Sequence, residues 1–188
     1  SVIPWNDTFW GLCDYYSTWY EYYPQKPFQE NRWQISSTNV SIHRSVIQEA
    51  GVFDTRLTRT CEDAEYCNRL TKMGIRIAFD PYILMAHHDR ETFWGFLKHH
   101  YTYGYMAPFV RTPESGARYS WLVPQNKFKA FLLIPILAIL HTGFVHVHWL
   151  PRRPESVFFA PFVFLSKVAH AIGVFDGVKA REKEGEIK

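Results

Sequence analysis

The sequence predicts an α/β domain over residues 1–115 followed by hydrophobic, membrane-associated helices over 116–188. Three observations lead there. Before residue 115, short apolar runs and helix-start signals interleave with charge. From Ala130 to Leu150 there is no Asp, Glu, Lys or Arg. A second apolar stretch, Ser156 to Phe175, gives way to a charged tail from Lys179 to Lys188.

The elements follow in chain order. The N-terminal run W-N-D-T-F-W-G-L-C-D-Y-Y-S-T-W-Y-E-Y-Y is dense in aromatic rings, which suit core packing, sugar stacking or anchoring at the headgroup level. Gln34 to Ile42 alternates as a strand. Ser45 with Gln48 forms a capping box for a short helix that Gly51 ends. Thr60 with Asp63 forms a second box, opening a helix to about Met73 with Gly74 as its stop. Ile75 to Phe79 reads as the next strand and Pro81 terminates it. A brief apolar run, Ile83 to Ala86, delivers His87. The helix from about Thr92 to Tyr103 presents Phe93, Trp94, Phe96, Leu97 and Tyr101, with Lys98, His99 and His100 among them.

Ala130 to Leu150 is roughly 21 residues, about 30 Å of helix, the thickness of a hydrocarbon core. The second stretch holds Lys167 and His170 past its middle. A lysine at the bilayer centre costs about 2.5–3.5 kcal/mol, so this stretch is the less secure span and suits the interface as well. Lys127 and Lys129 precede the first stretch, and Lys179, Arg181 and Lys183 follow the second. Only Arg152 and Arg153 lie between. That distribution favours a hairpin with both ends cytoplasmic. Two buried helices of a soluble domain are the plainer alternative.

Composition narrows the function classes. A net charge of +3 without a basic run argues against nucleic-acid binding. Cys13, Cys61 and Cys67 have no zinc-ligand spacing and read as reduced thiols of a cytosol-facing protein. The His87–His88 and His99–His100 pairs also lack recognised zinc spacing. The first residue is Ser and no signal-peptide pattern is present, so the chain is expected to be an excised piece.

Chemistry concentrates downstream of Trp33. The ordered pieces are S-T-N-V-S-I-H-R at 37–44, E-A-G-V-F-D at 49–54 and C-E-D-A-E-Y-C-N-R-L at 61–70. They continue with G-I-R-I-A-F-D-P at 74–81, H-H-D-R at 87–90, and a closing helix ending in Y-G at 103–104. Each piece alone is weak, but the ordered series over about Gln34 to Gly104 resembles the C-terminal half of the catalytic domain of inverting family 2 glycosyltransferases. The resemblance implies a partial GT-A (Rossmann-like) fold, a nucleotide-diphosphate sugar donor and a saccharide or lipid-linked acceptor. It implies Asp63 as general base and His87 as a ligand for Mn²⁺ or Mg²⁺ on the donor diphosphate, with His88 a near-equal contender by sequence. Asn39 would line the site. Glu62 would support it or orient the acceptor, and Trp33 is the candidate acceptor contact.

Two departures from the family pattern matter. The nucleotide-binding half with its Asp-x-Asp motif does not occur in these residues, so this piece alone is expected to be inactive. Polymerising relatives carry Gln-x-x-Arg-Trp after the histidine, where this chain reads Leu97-Lys98-His99-His100-Tyr101. That difference implies non-processive transfer. A non-catalytic membrane-bound scaffold keeping the same frame, and a small metal-binding membrane protein, are the competing readings.

Overall fold

The computed structural model describes residues 1–5, 7–57 and 60–185. Six helices and two three-residue strands are present among them: β1 (Val2–Pro4), α1 (Phe9–Thr18), α2 (Arg44–Ala50), α3 (Glu62–Lys72), β2 (Met85–His87), α4 (Phe93–Val110), α5 (Lys127–Trp149) and α6 (Ala160–Glu184). The strands pair in parallel, Val2 with Met85 and Pro4 with His87.

This overturns the expected α/β, partial GT-A fold: the molecule is mostly a helical bundle with a minimal parallel sheet. The expected strand at 34–42 is instead a 3₁₀ turn over Ser37–Asn39. Its serines and threonine compete for the backbone, as when Ser36 Oγ accepts from the Thr38 amide. The segment 75–79 makes only an isolated antiparallel bridge between Gln29 and Phe79. Alternation sets which face of a strand is apolar, but a strand also needs a neighbour to pair with.

The helix signals hold better. Gly51 (φ 77°) and Gly74 (φ 73°) adopt the left-handed backbone that ends α2 and α3. The helix-start chemistry differs from the expected boxes. His43, not Ser45, caps α2 by accepting the Ser45 amide. Cys61 stands before α3 at φ 72°, without a side-chain cap bond. A left-handed non-glycine residue costs roughly 1–2 kcal/mol, and it sits two residues before Asp63.

The bundle packs α4 and α5 against α6, and α1 touches α4, α5 and α6. The α4–α6 approach depends on Gly104, Gly173 and Gly177, whose missing side chains let the two backbones touch. Gly173 and Gly177 form a G-x-x-x-G step on α6. The aromatic N-terminal run supplies core: Tyr15, Tyr16, Trp19 and Tyr23 bury against Val145, Trp149 and Val163. A second cluster joins Ala50, Tyr66, Cys67, Leu70 and Ile77 beneath α3.

Two helices, Lys127–Trp149 and the segment Pro154–Glu184, are long and apolar enough to cross a membrane by length and composition. Only 17% of the apolar window of α5 is buried, and Phe131, Leu132, Ile139 and Leu140 face outward. The Lys127 amide donates to Glu182 at 3.0 Å, so both ends of the helical hairpin meet at one end of the bundle.

Candidate functional site

Asp63 is set by three local features. The left-handed turn at Cys61 starts α3, the Ala64 amide donates to Asp63 Oδ1 at 2.7 Å, and the Ser37 amide donates to Oδ2 at 3.2 Å. The 3₁₀ turn that replaced the expected strand therefore supplies one of the donors that aim the carboxylate. Burial raises the Asp63 carboxyl above its ordinary value, the Ser37 bond opposes this, and the charge of Glu62 adds to the rise. Glu62 itself accepts from Ser37 Oγ at 3.3 Å. Asp63 lines a cavity of about 300 Å³ with Ser37, Ser41, His43, Tyr66 and Arg76.

The other expected residues fall around this point. Asn39 is exposed in the turn and does not line the cavity. Trp33 is half-buried under the Arg111 guanidinium, 5.5 Å from its ring. His87 is not among the residues lining the Asp63 cavity. Trp19 packs 4.8 Å from His87 and 5.7 Å from Tyr22.

His87 and His88 differ plainly. His88 is exposed, with only Glu91 at 3.7 Å. His87 is half-buried, and its Nδ1 lies 2.9 Å from Asp89 Oδ1, which also accepts from Trp19 Nε1. A carboxylate on Nδ1 fixes the tautomer and leaves Nε2 free to bind a cation, the arrangement typical of metal-ligating histidines. Asp89 Oδ2 is buried without a partner. Among the described residues, no third His, Cys, Asp or Glu ligand atom joins His87 and Asp89.

A second group was not foreseen as a site. Asp14, His99 and His100 each bring a ligand atom within 4.8 Å of the others and could together hold a metal ion. His99 Nδ1 is 2.9 Å and His100 Nε2 3.0 Å from Asp14 Oδ1. Asp14 is also held by the Arg90 amide at 3.1 Å, with the Arg90 guanidinium 3.9 Å away, and by the Thr18 hydroxyl. Burial alone would raise its carboxyl, but the bonds to His100 and His99 outweigh this and hold it well below the carboxylate range. Burial pushes His100 down to about 4. The carboxylate is thus already balanced by nitrogen donors, and a metal there would displace protons from the imidazoles and crowd Arg90. Sequence marked the His99–His100 pair, but nothing pointed to Asp14, 85 residues earlier.

Tyr103 connects the two loci. Its ring lies 4.8 Å from His99. Burial pushes its phenol up to about 12, and the Asp63 charge adds to the rise. The three cysteines are free and buried, and burial pushes Cys13 and Cys61 up to about 12 and Cys67 to about 11, so none is a nucleophile at neutral pH.

No family model, characterised protein or solved structure matches the chain.

Proposed function

We propose that this chain belongs to a membrane-associated, metal-assisted inverting glycosyltransferase acting non-processively. The observation that carries the reading is Asp63: a carboxyl with a raised pKa, aimed by two backbone amides into a cavity. An acceptor hydroxyl attacks the anomeric carbon of a nucleotide-diphosphate sugar and its proton passes to an Asp63 oxygen. The new C–O bond forms as the bond to the diphosphate breaks, and the departing nucleoside diphosphate keeps the electron pair. A raised pKa brings the carboxylate closer to the operating pH, which suits general-base help worth about 10²–10⁴-fold. Bound Mn²⁺ or Mg²⁺ would neutralise charge on the diphosphate; His87, oriented by Asp89, is the residue the family resemblance assigns to it, although it does not line the Asp63 cavity. Glu62 raises the basicity of Asp63 through its charge. The exposed apolar face of α5 supports membrane association, and the basic ends of the helical hairpin support placement on the cytoplasmic face.

The intact protein, in membranes, tests this with a panel of UDP-, GDP- and CDP-linked sugars in Mn²⁺ or Mg²⁺. Asp63→Asn should abolish transfer and leave unfolding unchanged within about 1 kcal/mol. Both oxygens of Asp63 already accept backbone bonds, which favours a purely structural role as the competing reading. In that case Asp63→Asn would lower stability and leave turnover standing.

A further inference from the structure

Four segments bring polar side chains together beside the apolar helices. Tyr20 follows α1, Arg111 caps α4, His141 lies on α5, and Lys167 and His170 lie one turn apart on α6. Tyr20 Oη and His141 Nε2 share a hydrogen bond of 3.1 Å. The His141 and His170 rings stand perpendicular, 5.8 Å apart. Lys167 Nζ lies 5.7 Å from the Tyr20 ring and donates to Ser17 O at 2.7 Å. Arg111 stacks on Trp33 and reaches Gln34 Oε1 at 3.3 Å, and its charge acts on Tyr20. Tyr20, Arg111, His141 and His170 are half-buried, and Lys167 is buried beneath them.

The charge is one-sided. Among the described residues, neither Arg111 nor Lys167 has a carboxylate within 4.0 Å. Glu21, whose charge acts on Tyr20, is paired with Arg32 at 3.3 Å. Asp14, the acid that acts on Lys167, is already held by His99, His100 and Arg90. A lysine buried among apolar residues without an anion is costly, and a helix core would be more stable with a methionine there. An ammonium, a phenol and two imidazoles in mutual contact, with a guanidinium whose charge reaches them, are the donor set that fits phosphate oxygens.

We propose that Arg111, Lys167, His141, His170 and Tyr20 form a binding site for a phosphomonoester group. Its walls are the same α5 and α6 that are apolar enough to meet a membrane, so a phospholipid or a free phosphate compound would present the same group here. The inference goes beyond the transfer reading and does not need turnover to be measured.

The protein in detergent micelles is titrated with inorganic phosphate and pyrophosphate by calorimetry. Co-flotation then compares phosphatidylcholine vesicles with and without phosphatidic acid. Retention that depends on phosphatidic acid identifies a lipid source, while calorimetric binding of phosphate without it identifies a soluble one. In either arm Arg111→Gln and His170→Gln should weaken binding roughly ten-fold, and exposed Lys98→Gln should not. Lys167→Met should weaken binding while raising the melting temperature, a pairing that a merely structural lysine would not give. Asp63→Asn should bind as wild type, which separates this site from the transfer chemistry. No phosphate dependence in either arm, or variants that bind like wild type, overturns the proposal.

Discussion

Replacing Gly173 by Ala tests the packing that positions the whole helical half. A Cβ there would fall inside the contact radius of the Tyr101 carbonyl oxygen and stand 2.8 Å from the Tyr105 amide nitrogen. Non-bonded contacts to carbon settle near about 3.5 Å, so α4 and α6 would have to part by at least roughly 0.7 Å. Neither obstacle is a flexible side-chain end; both are helix backbone. Overpacking of this kind costs typically about 1–3 kcal/mol, set against a gain of about 0.8–1.0 kcal/mol in helix propensity from Gly to Ala. A net loss of up to about 2 kcal/mol is expected. Gly143 on α5 is the internal control, because a Cβ there meets nothing within 4 Å. Gly143→Ala should therefore gain up to about 1 kcal/mol. Unfolding by denaturant in mild detergent, followed by helical circular dichroism, measures both. If Gly173→Ala proves as stable as Gly143→Ala, the close approach of the two helices is wrong.

Further outcomes are expected elsewhere. The carboxylate form of Asp63 is the working base, so transfer should fall as pH drops through a value above that of an ordinary carboxyl. Glu62→Gln removes a charge that raises it, and the acid limb of the pH–rate profile should then move to lower pH. Asp14→Ala removes the acceptor of the Arg90 amide and of His99 Nδ1, leaves buried polar groups unpaired and should cost about 1–3 kcal/mol in denaturant unfolding. Asp89→Asn should weaken the Mn²⁺ dependence of transfer about ten-fold or more, because His87 loses the acceptor that fixes its tautomer; an unchanged metal titration would detach His87 from the metal.

Local chemistry was legible in the sequence wherever a signal acts through its own neighbours. Gly51 and Gly74 ended their helices because a left-handed backbone disfavours a side chain, and the uncharged run after Ala130 could only be a long apolar helix. The acids at 62, 63 and 65 do lie in the first turn of α3, where its positive end favours them. Pairing was not legible. Residues 34–42 and 75–79 have strand-like patterns, yet the sheet is built from Val2–Pro4 and Met85–His87, because strand formation depends on which distant backbone is free to bond. The same holds for the buried centre. Asp14 meets His99 and His100, Tyr20 meets His141, and Lys167 reaches Ser17, 150 residues away. Sequence alone marked where α2, α3 and α4 lie and which carboxylate stands at the mouth of α3, since glycine stops and short-range patterns act locally, but it did not mark α1 as a helix. Only the folded chain decided what that carboxylate faces and which charges lack a partner, since burial and Coulomb terms are set by contacts between residues far apart in the chain.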